Sequence, residues 1–380
     1  MIGFDLTDEQ LEYQKMAKTF AEKEIKPYAA ELDRRPDTAF DWDIVRRFAK
    51  ANLLGLGVPK EYGGLGVDML TAVVVAEELG AACIGIMGAA GGNWLATTCL
   101  KLIGNDTQKN RYLPLCCGEN ANLAALAVTE SEAGSDITGI KTTATKKGGY
   151  YILNGTKTFI TNAGLAKFYI VFATTDPRKR HSGLNAFIVD GDTQGLTLGT
   201  VVDKIGLRAS QVGTLIFNNV KVPAENILGA ENTGFFIAVQ TLDMSRPCLG
   251  AAAVGVARAA FETALAYARE RKQYGHPIIE NQAISFMLAD MATEIEAARL
   301  LTWRAAWLID QGMDSTKASS MCKIFSSEMA EGVCSRAIQI LGANGYTRNW
   351  PVEKYYRDAK ALAIYEGTNQ IQRMIIASML

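Results

Sequence analysis

The sequence predicts an α+β chain in three parts, helical, then antiparallel β, then a helical bundle, and three observations carry that prediction. Over residues 1–121 apolar side chains recur at helical spacing. Between 122 and 232 the texture changes to short runs rich in Val, Ile, Phe, Tyr and Thr, separated by Gly, Asn and Asp. Over 233–380 long helical windows return. The β runs follow one another without helical windows between them, so they predict antiparallel pairing rather than a βαβ sheet. At 380 residues the chain is also long for a single core.

Thr7 with Gln10 three residues on is a capping box, and an apolar stripe follows to Ile25, where Pro27 stops it. Helical windows continue with AFDWDIVRRFAKANLLG, DMLTAVVVAEELGAA and DTQKNRYLPLCCG, the last interrupted by Pro114. The β runs are ATKKGGYYILNGTKTFITNA, KFYIVFATTD, GLNAFIVDG, TLGTVVDKIGLR and GTLIFNNVKVP. The basic string TTDPRKRHSG, residues 174–183, reads as a solvated loop between two of them. The third part holds three long windows, beginning at Phe235, Glu280 and Ser315.

Composition narrows the function. The chain is 48% hydrophobic and 21% charged, with 39 basic against 40 acidic residues. A net charge of -1 supplies no field to hold nucleic acid or an anionic membrane, which points to small ligands and protein partners. Seven cysteines without a CxxC spacing, two of them adjacent at Cys116 and Cys117, fit reduced thiols in a cytosol. The opening MIGFDLTDEQ has no leader pattern, so a cytoplasmic location is expected. The apolar windows are broken by acidic residues or rich in glycine, and no membrane span is expected. His181 and His276 stand too far apart to share a metal, and no ligand cluster joins either. No GxGxxG follows a strand, and neither GxxxxGK[ST] nor GxSxG occurs, so Rossmann, NTPase and serine-hydrolase readings fall away.

Several polar strings exceed what packing requires: AVTESEAGSD (127–136), FITNAG (159–164), RKQYG (271–275), QILGANGY (339–346) and YEGTNQ (365–370). Each has a plain reading by itself. AVTESEAGSD can be a strand running into an acidic turn, RKQYG a helix end with cations suited to its dipole, and YEGTNQ a turn before a helix.

Taken in order, with GVPKEYGGLG, VKVPAENILG, SRPCLGAAAVGVA and YRDAKALAIYEGTNQIQR, these strings resemble the acyl-CoA dehydrogenase family over nearly the whole chain. The likeness is strongest to its short- and medium-chain branch. The resemblance implies an N-terminal helical domain (1–121), a middle β-barrel domain (122–232) and a C-terminal four-helix domain (233–380), with FAD between the β domain and the helices. It implies a homotetramer, a dimer of dimers, and electron transfer to an electron-transferring flavoprotein.

By the same resemblance Glu366 is the base that removes the α-proton of an acyl-CoA, made more basic by a dry pocket that Tyr365 helps to line. The backbone N–H of Glu366 and a flavin ribityl hydroxyl polarise the thioester oxygen, and Gly367 is placed among the substrate contacts. Thr129, Ser135 and Thr161 match contacts to the flavin ring, Ser135 being shared with the substrate, and Thr368 and Gln370 match contacts to its adenine half. Phe159 stands where many members place tryptophan over the flavin. Arg271, Gln282, Gln339 and Gly342 match positions that reach a partner subunit's FAD, and Asp243 and Arg246 match positions on the CoA arm.

Two expectations stay open in the sequence. An enoyl-CoA reductase, or an enzyme discharging to oxygen, would use the same residues. A flavin-binding relative without catalysis, acting on nucleic acid or protein, would not need Glu366. The run Gly88, Ala89, Ala90, Gly91, Gly92 is either close helix packing or a widened acyl pocket. A pocket widened there, with Trp94 limiting it further in, implies a branched or alicyclic acyl group such as a cyclohexane-carboxylic thioester. Straight C4 to C8 chains are the alternative.

Overall fold

The computed structural model describes residues 5–34 and 41–380. Helix α1 (Asp8–Phe20) starts at the expected box, with the Thr7 hydroxyl accepting from the Gln10 amide and the Gln10 side chain accepting from the Thr7 amide. A π-helical turn, Ala21–Ile25, then precedes Pro27. Helices α2 (Ala29–Arg34) and α3 (Trp42–Lys50) follow, the latter capped by Asp41. Residues 39 and 40 of the AFDW window lie outside the described residues.

Helix α4 (Met69–Ile103) is capped by Asp68 and broken in its middle by Cys83, which is extended. It runs well past the DMLTAVVVAEELGAA window because the small-residue run continues the helix. Helix α5 (Asp106–Tyr112) ends just before Pro114.

Eight strands form the middle sheet: β1 (Ala124–Ala127), β2 (Thr143–Lys147), β3 (Tyr150–Thr161), β4 (Phe168–Thr174), β5 (Leu184–Asp190), β6 (Leu196–Val201), β7 (Val212–Pro223) and β8 (Ile227–Leu228). Their order is β6-β7-β3-β2-β4-β5-β8, with β1 beside β4. Most pairs are antiparallel, but β1 runs parallel to β4 over four residues and β2 meets β4 in parallel at Thr143 and Thr174. The sheet curls on itself: the rings of Tyr151 of β3 and Phe187 of β5, which are not ladder neighbours, meet at a tilt of 59° with centroids 4.9 Å apart. Its concave side holds one apolar core and its outer side packs a second one against α4 and α6.

The last part comprises α6 (Gly234–Glu270), a two-residue hairpin of β9 (Lys272–Gln273) and β10 (His276–Pro277), α7 (Gln282–Asp310), α8 (Thr316–Leu341), α9 (Val352–Leu362) and α10 (Asn369–Ser378). Helices α4 and α6 are long and apolar enough to cross a membrane by composition, yet 83% and 67% of their most apolar windows are buried in this fold. They meet backbone to backbone. A Cβ on Gly80 would sit 2.8 Å from the Ala252 backbone, and one on Gly255 would sit 2.1 Å from the Glu77 carbonyl oxygen. Glycine's cost inside a helix, roughly 1 kcal/mol each, is offset by that close approach.

The same crossing carries charge. Glu77 of α4 accepts two hydrogen bonds from Arg299 of α7, at 3.0 and 2.9 Å, and lies 3.3 Å from Arg258 of α6. Glu78 takes a 2.7 Å bond from Arg258. Both carboxylates are buried, so the network satisfies them where water cannot.

Candidate active site

Glu366 lies in the turn between α9 and α10. Its φ is 55° and that of Gly367 is 85°, so two successive residues are left-handed. Glycine serves the second position twice over, since a Cβ there would stand 2.6 Å from the Gln372 side-chain nitrogen. Glutamate at the first is strained by about 1–2 kcal/mol and must be held by its surroundings.

The holding groups are visible. Thr368 caps α10 by accepting from the Ile371 amide, which fixes the exit of the turn. Gln372 Nε2 donates to the Glu366 and Gly367 carbonyls at 3.2 and 3.1 Å. Lys323 Nζ, from α8, donates to the Gly367 carbonyl and to Asn369 Oδ1, both at 2.8 Å.

The Glu366 carboxylate receives the Ser245 hydroxyl at 2.7 Å. Burial pushes its pKa above the ordinary carboxylate value, while the Ser245 hydrogen bond and the charges of Arg246 and Lys323 pull it back. Its backbone N–H makes no hydrogen bond among the described residues. A basic carboxylate beside an unspent donor is the equipment for taking a proton from carbon while an adjacent oxygen gains charge. Tyr365, its neighbour in the chain, is 38% exposed. Pro247 in α6 contributes no N–H to the Asp243 carbonyl, which loosens that helix where Ser245 and Arg246 face the turn.

A second group forms around the end of β1. Lys157 is fully buried and bonds the Val128 carbonyl and Glu130 Oε1, both at 2.8 Å. Glu130 also accepts the Lys141 and Thr142 amides at 2.7 and 3.0 Å. This lysine, its pKa lowered to about 8 by burial, ties the TESEAGSD loop to β3. Beyond it β3 bulges, and Phe159 emerges with φ of 56° and 64% exposure. Thr129 and Thr161 flank it half-buried, and Ser135 is exposed on the loop. An open aromatic face with hydroxyls around it fits the faces and polar edges of a flat heteroaromatic ring. The buried side-chain oxygen of Asn162, Oδ1, next to Thr161, has no hydrogen-bond partner among the described residues.

A third group stands apart. Arg271 closes α6, and Gln282 opens α7 across the hairpin whose Tyr274 and Gly275 are both left-handed. Gln339 and Gly342 end α8, and Asn344 reaches the Tyr267 hydroxyl at 2.9 Å. Arg271, Gln282, Gln339 and Gly342 are all exposed. Along α6, Arg271 lies on the order of 40 Å from Ser245 at 1.5 Å per residue. The structure therefore brings Glu366, Tyr365, Gly367, Thr368, Arg246 and Asp243 together and leaves the Arg271 group at the far end.

Asp243 and Arg246 are paired with each other and buried, and Thr316 donates to Asp243 at 3.0 Å. Arg246 faces the turn, its Nη2 standing 3.9 Å from where a Cβ on Gly367 would lie, while Asp243 is held between Arg246 and Thr316. The small-residue run also reads differently in three dimensions. A Cβ on Gly88 would meet Ser210 Oγ at 2.8 Å and one on Gly92 would meet Asn162 Nδ2 at 2.6 Å. Ala89 and Ala90 are buried, and only Gly91 faces open space. Helix packing accounts for the rest, which removes most of the case for a widened cavity. Trp94 is anchored by its indole N–H to the Leu53 carbonyl at 2.8 Å.

Sequence reasoning missed Ser245, Lys323, Gln372, Lys157 and Glu130. The signal for Lys323 was its company: Ser319, Ser320, Ser326 and Ser327 share its buried helix, an unusually polar interior stripe. Among the described residues no His, Cys, Asp and Glu cluster could hold a metal.

Models of the acyl-CoA dehydrogenase N-terminal, middle and C-terminal domains match residues 7–119, 125–220 and 232–380. An acyl-CoA dehydrogenase of Bacillus subtilis is 44% identical over 99% of this chain and 98% of its own. A 3-(aryl)acrylate reductase of Clostridium sporogenes is 43% identical over 97% of each. Among solved structures, butyryl-CoA dehydrogenase of Megasphaera elsdenii superposes with a TM-score of 0.96 at 39% identity, covering 100% of this chain and 99% of that one. A chain from a study of the electron transferring flavoprotein of Acidaminococcus fermentans has a TM-score of 0.96 at 40% identity, with 100% and 99% coverage. These matches, which span all three parts of the fold, identify the chain as a member of the acyl-CoA dehydrogenase family, an FAD-dependent oxidoreductase.

Proposed function

We propose that this protein oxidises a short acyl-CoA thioester to its 2-enoyl-CoA, with Glu366 taking the α-proton. The observation that carries the reading is the Glu366 turn: a desolvated carboxylate, aimed by Ser245 and backed by a free N–H of its own backbone. FAD, when bound, supplies the acceptor for the β-hydride. Thr129, Ser135, Phe159 and Thr161 would hold its ring, and Thr368 and Gln370 its adenine half. The Glu366 N–H would bond the thioester oxygen, which acidifies the α-carbon as the proton leaves. Tyr365, Gly367 and Gly91 would border the substrate, and Asp243 and Arg246 would act on it through the turn they support. The three domains would divide near residues 121 and 232.

Anaerobic mixing with acyl-CoA esters tests both reaction and substrate by bleaching of the flavin. With only Gly91 facing open space, butyryl-CoA is expected to exceed cyclohexane-carboxyl-CoA in kcat/KM by at least about tenfold, or 1.4 kcal/mol. A tenfold preference for the ring ester would restore the widened pocket.

A second reading, an enoyl-CoA reductase, is favoured by the 43% identity to the clostridial reductase. Glu366 would then return the proton to the α-carbon. Initial rates measured from both sides of the reaction, with a reduced and an oxidised electron carrier, separate the two.

Electrons would pass to an electron-transferring flavoprotein, which the likeness to the Acidaminococcus chain and the exposed Phe159 ring support. The chain would form a homotetramer in the cytoplasm. Exposed Tyr274, Phe286 and Trp307, at 99%, 59% and 41%, give it apolar surface to cover. The distance of Arg271 from Glu366 along α6 suits a residue that serves a neighbour's flavin. Arg271→Ala is accordingly expected to loosen FAD and assembly together, read as the flavin-to-protein absorbance ratio and the gel-filtration mass. Full flavin content in a stable tetramer would count against the shared site.

A further inference from the structure

Two residues of the active-site turn are left-handed, and the turn is held at its carbonyl side from another helix. That holding group is a lysine with no exposed surface, Lys323 on α8. We propose that Lys323 is a positioning residue for Glu366, fixing the Glu366–Gly367 turn through the Gly367 carbonyl and setting the proton affinity of the carboxylate by its charge. The inference rests on Glu366 being the base.

The geometry supports a specific rather than a filling role. Lys323 Nζ bonds the Gly367 carbonyl and Asn369 Oδ1, and Asn369 in turn donates to Ser327 at 3.0 Å and Glu328 at 3.2 Å. A buried ammonium needs such acceptors, and the turn supplies one of them from its own backbone. Rotation of the Gly367 peptide would strip the cation of a partner, so the left-handed pair and the buried charge stabilise one another.

The charges facing Glu366 can be named element by element. From α6 come Arg246, paired with Asp243, and the thiol of Cys248; Lys101 of α4 and Asp310 of α7 stand beyond that thiol. From α8 comes Lys323, with Glu328 nearby but paired with Arg373 of α10 at 2.7 Å. The turn itself adds Tyr365. Arg246 is already neutralised in part by Asp243, whereas no carboxylate bonds to Lys323 among the described residues. Burial lowers Lys323 to about 8, and Glu366 opposes that shift. The coupling works both ways: removing the cation must raise the pKa of Glu366 further.

Lys323→Met and Lys323→Gln, each loaded with FAD, test the proposal beside Glu366→Gln. Flavin reduction by butyryl-CoA is followed across pH, and the protonated carboxyl of Glu366 is followed by infrared difference spectra, assigned by its loss in Glu366→Gln. The Met variant is expected to lose at least about tenfold in kcat with KM changed less than about twofold. In both variants the acid limb and the carboxyl band should move to higher pH. The Gln variant should recover part of kcat, because its amide can still donate to the Gly367 carbonyl. A Met variant with parental kcat and an unmoved acid limb overturns the proposal. Should the Met variant not fold, an unmoved limb and band in the Gln variant overturn it equally. Undiminished activity in Glu366→Gln would instead remove the base assignment, whatever the lysine variants do.

Discussion

Glu366→Gln is expected to give a folded, yellow protein whose flavin is reduced by substrate about 10³ to 10⁴ times more slowly than in the parent. The amide keeps the volume and can still face the Ser245 hydroxyl, so the turn has no reason to move. What it lacks is a lone pair basic enough to accept a proton from carbon. In the parent, burial raises the Glu366 pKa, so activity should be full above that raised value and should fall as the pH drops through it. The acid limb should therefore lie above the ordinary carboxylate range and vanish in the amide variant. Stopped-flow bleaching under anaerobic conditions measures both, and a rate within tenfold of the parent would remove Glu366 as the base.

The second large effect is on stability. Glu77→Ala should cost about 3 kcal/mol, the low end for breaking a buried ion network, because Arg258 is then left with Glu78 alone and Arg299 with the largely exposed Glu296. For a chain of this length that corresponds to a fall of on the order of 4 °C in the unfolding midpoint. Adding Arg299→Leu should restore part of the loss, since it removes a partly buried cation that would otherwise keep only the largely exposed Glu296 as partner. Calorimetry of the three proteins decides it. An unchanged midpoint in Glu77→Ala would mean that water reaches the network.

Periodicity made the helices and strands legible, down to the capping box at Thr7 and the stop at Pro27. It could not show that β1 pairs in parallel with β4, because pairing direction depends on where the intervening chain travels. The string YEGTNQ was readable as a motif, and Gly367 as a turn glycine, but the left-handed glutamate before it was not. Strain of that kind is imposed by tertiary contacts, here from Lys323 on α8 together with Gln372 of the helix that follows the turn. The small residues of α4 illustrate the opposite limit. Gly85, Gly88 and Gly92 look the same as Gly91 in one dimension, yet a Cβ on any of the three would meet a neighbour, whereas one on Gly91 would not.

The bond between Glu78 and Arg258 spans 180 residues, and the α4–α6 crossing it belongs to has a consequence for how the chain is made. At roughly 5–20 residues per second a ribosome takes on the order of 10–40 s to go from one partner to the other. For most of that interval the apolar surface of α4 has been made while α6, which begins only at Gly234, has not. The nascent chain must therefore keep a sticky helix out of trouble for a time far longer than helix formation or collapse requires. Slowing translation between the two helices should raise the fraction of chains lost to aggregation, and a chaperone that sequesters α4 should lower it.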